Sequence, residues 1–171
     1  MITPTTPTDT TAAASTGTGA GGTRRPLVLV GIDGSEESEK ALRWAIALAE
    51  LNGGELKVVT TWHEPTPYGA AAGWGAYLPA DWDPRQDAEK AATEVIDKVC
   101  GAHRPPWMVV ETVQGHPAHV LTTYSTEATV LVVGSRGHGG FAGLLLGSVS
   151  AYCAEHASCP VVVVHGDQLP R

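Results

Sequence analysis

Basic residues are scarce in this sequence. Eleven lysines and arginines stand against eighteen aspartates and glutamates, and the formal net charge is −7. Non-specific nucleic-acid binding needs a basic patch to meet the phosphate backbone, so that class of function is disfavoured. One bound nucleotide makes no such demand, because a local pocket of amide N–H groups suffices. Cysteine is also sparse. Cys100, Cys153 and Cys159 are odd in number and have the spacing of neither a metal knuckle nor a redox pair. They read as reduced, buried thiols, which points to a reducing compartment and a cytoplasmic location. No apolar run is long enough to span a membrane, so no membrane partner is expected. Arg24-Arg25 before Leu27-Val28-Leu29-Val30 faintly imitates an export signal, but the apolar run is short and continues as a strand pattern.

Large apolar side chains are nearly missing from Met1 to Thr23, which is built of Thr, Ala, Gly, Ser and Pro. Such a segment buries too little surface to balance its ordering entropy, and it reads as a disordered tail. A docking segment that folds on a partner is the alternative. Residues 1–24 and 167–171 are therefore expected to be tails around one domain, 25–166. With 43% hydrophobic residues the chain can build a core of that size.

Strand and helix patterns alternate from Pro26 onward. Leu27 to Ile32 is a continuous apolar run of the kind buried on both faces. Asp33-Gly34-Ser35 makes a turn, with Ser35 as helix N-cap and Glu36 and Glu37 in the first turn. Ala41, Trp44, Ala45, Leu48 and Ala49 repeat at helical spacing, and Asn52-Gly53-Gly54 stops the helix. Leu56 to Trp62 reads as the second strand. His63 to Pro84 break the rhythm with Pro65, Pro67, Pro79 and Pro84 among Tyr68, Trp74, Tyr77 and Trp82. A loop of that length is a lid or a contact surface. Ala88, Ala91, Ala92, Val95, Ile96 and Val99 mark a second long helix, and Trp107 to Val113 a third strand. Pro117 suits the first position of a short helix through Tyr124. Val130 to Val133 is a fourth strand, Gly147-Ser148 opens a last helix, and Val161 to Val164 is a fifth strand.

This alternation implies an α/β fold: a doubly wound, open, parallel five-stranded sheet with helices on both faces. In such sheets ligands bind beyond the carboxyl ends of the strands, near the point where strand order reverses. Asp33, Thr61 and the loop after Val133 then share one edge. The fifth strand is short, uncharged and β-branched throughout. Lying at a sheet edge, it would be an aggregation hazard unless it paired with its counterpart in a second copy. A central strand buried within one chain is the competing reading.

The segment from Val133 through Gly134-Ser135-Arg136-Gly137-His138-Gly139-Gly140-Phe141-Ala142-Gly143-Leu144-Leu145-Leu146-Gly147-Ser148 carries the chemistry. Glycines let backbone amides approach phosphate oxygens, and a helix N-terminus adds free N–H groups and a favourable dipole. The Ser148 hydroxyl has two uses, capping the helix or reaching a phosphate or its metal. A Walker loop is excluded because no Gly-Lys-Ser/Thr occurs. Gly137-x-Gly139-x-x-Ala142 fits a loose dinucleotide fingerprint, but it starts too far from a helix, and the next strand ends without the acidic residue a ribose needs.

Gly134 and Gly137, then nine residues, then Gly147-Ser148 resemble the G-x-x-G, nine residues, G-S/T loop of the ATP-binding universal stress proteins. Val28 to Ser35 resembles that family's first strand and turn, and Cys159-Pro160-Val161-Val162-Val163-Val164 its last strand. The resemblance covers Pro26 to His165 and implies an adenine nucleotide alpha hydrolase-like fold and bound ATP. It places Asp33 near the adenosine and a nucleotide-bound Mg. It places Ile32 and Thr61 beside the adenine, and Gly134 and Gly137 against ribose and phosphates. Gly147, Ser148 and Val149 hold phosphate oxygens in this reading, with Ser150 as an extra contact and Val133 among the nucleotide contacts. Arg136 and His138 either meet phosphate or are exposed loop charge. Thr60-Thr61-Trp62 is more polar and bulkier than the family's usual strand end. A homodimer through the last strand is implied as well.

The functional expectation is an ATP-binding stress-response or signalling module. The alternatives are a slow ATP hydrolase or nucleotidyl-transfer enzyme, and a protein-interaction module without nucleotide. No nucleophile, base and orienting partner assemble in the sequence, so no catalytic residue is assigned. His116 and His119 are spaced for two metal ligands, but no third ligand stands near them.

Overall fold

The computed structural model describes residues 25–64, 82–137, 145–166 and 169. The N-terminal tail, most of the proline- and aromatic-rich loop and the middle of the glycine loop, His138 included, lie outside the described residues. Strand β1 (Leu27–Gly31) leads to helix α1 (Glu36–Asn52), then β2 (Glu55–Trp62) and α2 (Pro84–Cys100). Strand β3 (Met108–Gln114), α3 (Pro117–Tyr124), β4 (Val130–Gly134), α4 (Ser148–His156) and β5 (Val161–Val164) complete the order.

The strands form one sheet in the order β3-β2-β1-β4-β5, and every pairing is parallel. β1 is central. From it the chain first builds outward through β2 and β3, then returns to add β4 and β5 on the other side. The reversal between β1 and β4 leaves a crevice at their carboxyl ends. Val28, Leu29 and Val30 are fully buried because β1 is covered on both faces, as its unbroken apolar run requires.

One face of the sheet packs under α1 and α2. Ala41, Leu42, Ala45 and Ala49 from α1 meet Ala92, Val95 and Ile96 from α2 over Val28, Val30, Leu56, Val58 and Val132. Leu42 and Ile96 are almost fully enclosed, and burial of each contributes about 2–3 kcal/mol. The other face carries α3 and α4. There Leu121 and Cys153 cover Leu29, Val59, Leu131 and Val133. Burial, followed by the nearby Cys159, pushes the Cys153 thiol up to about 11. All three cysteines are free thiols.

Two boundaries differ from the sequence expectation. Pro84 does not belong to the loop but opens α2, behind Asp83 as N-cap. Its missing N–H costs nothing in a first turn, where no intrahelical acceptor exists. The Trp82 indole folds back on that turn and donates to Asp87 Oδ2 at 2.6 Å. The third strand runs one residue later than Trp107 to Val113. Gln114 extends it as a partner of Trp62, while Val109 on this edge strand stays 54% exposed. β5 is the opposite edge of the sheet, as one of the two sequence readings held.

Candidate functional site

The carboxyl ends of β1, β2 and β4, together with the starts of α3 and α4, enclose a cavity of about 650 Å³. That is within the range of small-molecule sites. Its polar lining includes the junction between β1 and β4. Ile32 continues β1 by one more bond, donating its N–H to Val59 O at 3.0 Å. The chain then turns at Asp33-Gly34, with Gly34 at φ 88°. Asp33 Oδ1 accepts from the Ser35 N–H at 3.0 Å and from the Ser35 hydroxyl. The carboxylate is thus fixed at the mouth of the crevice.

The glycine loop lies directly on this carboxylate. A Cβ on Gly137 would collide with Asp33 Oδ2. A Cβ on Gly134 would lie 2.7 Å from the Glu37 carbonyl oxygen of α1. Both positions require glycine for close approach rather than for a special backbone angle. The loop is pinched at its base, where Gly147 N–H donates to Ser135 O at 2.7 Å. Ser135 is held in turn by its N–H to Val164 O at 3.0 Å. The Ser150 hydroxyl donates to Gly134 O at 2.6 Å and ties α4 to the end of β4.

Gly147, not Ser148, is the N-cap of α4, and no side chain caps this helix. Ser148 is the first helical residue, so of its two expected uses the capping one is not realised. Ala151 N–H bonds to Gly147 O, which leaves the amides of Ser148, Val149 and Ser150 without an intrahelical acceptor. These amides, with the helix dipole, form a cradle for negative charge. α3 opens in a similar way, with His116 as N-cap and no side-chain cap.

The same cavity also has an apolar lining, from Ile32, Val59, Leu121, Val133, Leu146 and Val149. Gly31 makes room for Leu121, because a Cβ there would stand 2.7 Å from Leu121 Cδ1. One pocket therefore combines apolar side chains with an anion cradle.

The structure brings together Ile32, Asp33, Thr61, Val133, Gly134, Arg136, Gly137, Gly147, Ser148, Val149 and Ser150 in the lining of this cavity. Ser150 differs in role, since its hydroxyl proton is already engaged by Gly134 O. His63, His116, Pro117 and Leu121 also line the cavity, and no nucleotide contact was read for them from the sequence. The signal for His116 was present: it follows β3 and precedes the Pro at the start of a helix, so it had to lie on the ligand edge of the sheet. His116 and His119 have ring centroids 5.4 Å apart, and His119 Nδ1 faces the Tyr152 hydroxyl at 3.3 Å. Among the described residues, no three His, Cys, Asp or Glu side chains converge to hold a metal ion. No helix among them is long and apolar enough to cross a membrane.

Comparison with known proteins gives a consistent picture. The family model described as the universal stress protein family matches residues 26–165. Universal stress protein Rv2005c of Mycobacterium tuberculosis is 35% identical over 147 residues, covering 82% of this chain and 48% of that protein. The chain thus spans about half the length of that relative. Universal stress protein YxiE of Bacillus subtilis is 30% identical over 143 residues, covering 80% of this chain and 97% of its own. Among solved structures, a universal stress protein in complex with cAMP superposes with a TM-score of 0.52 at 29% identity, covering 83% of this chain and 98% of that one.

Proposed function

The chain belongs to the universal stress protein family, and on that premise we propose that it binds an adenine nucleotide, ATP, in the cavity between β1 and β4. It acts as a stress-response or signalling module rather than as a dedicated catalyst. The observation that carries this reading is that apolar side chains and the uncapped start of α4 line one cavity. The base fits between Ile32, Thr61, Val59 and Leu121. The phosphates fit against Gly134, Gly137 and the amides of Ser148, Val149 and Ser150, with Arg136 at the rim. The residues suit this ligand, because the glycine positions leave no room for side chains where the loop approaches Asp33 and α1. A Mg ion would arrive with the phosphates, and Asp33 is the lining carboxylate placed to face it. The cAMP complex of a 29% identical relative supports an adenine ligand.

The test is mass spectrometry of nucleotide released when the purified protein is denatured, followed by calorimetric titration with ATP. Retention of ATP without product supports the binding module. Steady turnover of ATP would favour the hydrolase reading, and no binding would leave a protein-interaction module.

The same reading includes a homodimer through β5, supported by the edge position of that strand. The carbonyls of Pro160 and Val164 accept bonds from β4, so the alternate residues Val161 and Val163 present their backbone groups to the open edge. Val162 and Val164 pack toward the core under α1, so lysine at those positions would damage the fold. Val163→Pro removes one outward N–H and is tolerated on an edge strand. It should convert dimer to monomer in analytical ultracentrifugation. A wild-type chain that sediments as monomer at high concentration contradicts the dimer.

A further inference from the structure

Ser38 and Ser150 hold the same place in two helices. Each is the third helical residue, behind the N-caps Ser35 and Gly147, and each is 4% exposed. The Ser38 hydroxyl turns back on its own cap and donates to Ser35 O at 2.8 Å. Thr93 and Thr122 likewise donate to carbonyls of their own helices, Glu89 O and Ala118 O. The Ser150 hydroxyl instead leaves its helix and donates to Gly134 O at 2.6 Å, 16 residues back in the chain.

The receiving end of that bond is held firmly. Gly134 lies so close to α1 that a Cβ on it would stand 2.7 Å from Glu37 O. Ser135 N–H donates to Val164 O of β5 at 3.0 Å, and its buried hydroxyl faces Glu37 Oε2 at 3.4 Å. Two neighbouring carbonyls of this anchored pair then hold the start of α4. Gly134 O takes the Ser150 hydroxyl, and Ser135 O takes the Gly147 N–H at 2.7 Å. One bond would leave the helix start a pivot, whereas two set its distance and its tilt. The covalent path sets neither, because nine residues, three of them glycine, separate Gly137 from Gly147.

We infer that Ser150 is a positioning residue of the nucleotide site: its hydroxyl fixes the amide cradle of α4 relative to Gly134 and Gly137. The inference rests on the nucleotide reading given above. A serine hydroxyl has one proton. That proton is given to Gly134 O, so the side chain does not donate to a phosphate oxygen, while the Ser150 amide stays in the cradle. Phosphates that touch both the glycines and the helix start are held only while the two keep their spacing. Preorganised donors bind an anion without the cost of ordering them.

The test uses Ser150→Ala and the volume-conserving Ser150→Cys, whose thiol is a weak donor. Amide hydrogen exchange is followed in the ligand-free proteins, and ATP affinity is measured by calorimetry. In Ser150→Ala the Gly147 N–H should exchange about tenfold faster than in the wild type, because the pinch at Ser135 O loses its companion bond. Ala157 N–H, which bonds Cys153 O at the far end of α4, should keep its rate. ATP affinity should fall about tenfold, and Ser150→Cys should lie between wild type and Ser150→Ala in both readouts. Equal acceleration at Gly147 and Ala157 overturns the inference, since Ser150 would then merely stabilise the helix. Lost affinity with unchanged Gly147 exchange also overturns it, in favour of a direct phosphate contact, and so does unchanged affinity. Failure of the wild type to bind ATP overturns the nucleotide reading and the positioning role with it.

Discussion

The two faces of the sheet treat their helix starts in opposite ways. On the α1/α2 face each helix is closed by its own side chain. Ser35 Oγ accepts from the Ser38 N–H at 3.2 Å. Asp83 Oδ1 accepts from the N–H groups of Arg85 at 2.9 Å and Gln86 at 3.4 Å. On the α3/α4 face neither His116 nor Gly147 makes a side-chain cap bond. A capping serine, threonine, aspartate or asparagine contributes about 1 kcal/mol. That stabilisation is forgone at the two helices whose first turns line the large cavity. Charge follows the same division. The smaller cavity at the α1/α2 side, about 400 Å³, shares Asp33 with the large one and adds Glu39 and Glu94. Its one lysine among the described residues, Lys98, is held by Glu39 at 2.6 Å. Negative charge and closed caps suit that side to structure, whereas open amides and glycines suit the other side to an anionic ligand.

The strongest way to break this comparison is to fill the open side. Gly137→Val places a branched side chain against the Asp33 carboxylate. Overpacking of this kind costs about 1–3 kcal/mol, and at the phosphate approach it should lower ATP affinity about a hundredfold. The melting temperature should move by only a few degrees, because the loop is peripheral to both cores. Calorimetry and a thermal melt of the same sample check both halves.

The converse change acts on the closed side. Asp83→Ala removes the α2 cap and should cost about 1 kcal/mol of stability, read as a lower urea midpoint. ATP affinity should stay the same, since Asp83 does not line the large cavity. A loss of affinity equal to that of Gly137→Val would erase the distinction between the faces.

The smallest effect concerns how uncapped α3 is anchored. Tyr124, its last residue, donates to Glu111 Oε2 at 2.8 Å, and Lys57 reaches Glu111 Oε1 at 2.9 Å. The Lys57 hydrogen bond, then that of Tyr124, holds the Glu111 carboxyl below its usual range. A carboxyl lowered in the folded state stabilises the fold above its unfolded pKa of about 4.3, and this contribution fades as pH falls through the lower folded value. Glu111→Gln should therefore cost under about 1 kcal/mol at neutral pH, given solvent screening. The difference from wild type should shrink steadily below about pH 4 in acid-unfolding curves.

Periodicity and punctuation were enough to locate each described strand and helix, because most boundaries carry a local chemical mark. The bounds of α3 and β5 coincide with expectation, since Pro117 and Pro160 announce them. Pro84 was misplaced because a proline in a proline-rich stretch reads as loop, while its role depends on Asp83 capping the turn behind it. The glycine spacing pointed to the cradle, and the strand-end rule to Asp33 and Thr61. His116 escaped because it was weighed with His119 as a metal ligand by spacing, and His63 because it read as the start of the long loop. The chain ends that carry them are joined by the bond from Gly115 N–H to Trp62 O at 2.8 Å, between residues far apart in sequence. The Ser150 hydroxyl bond to Gly134 O is equally non-local.

The most direct measurement is an ATP titration followed by backbone amide chemical shifts in a 15N-labelled sample. Binding at the open face predicts that the amides of Gly134, Gly137, Ser148, Val149 and Ser150 shift first and furthest. The capped amides of Ser38, Arg85 and Gln86 should remain in place. Shifts concentrated at the starts of α1 and α2, or no shifts at saturating ATP, would contradict the account.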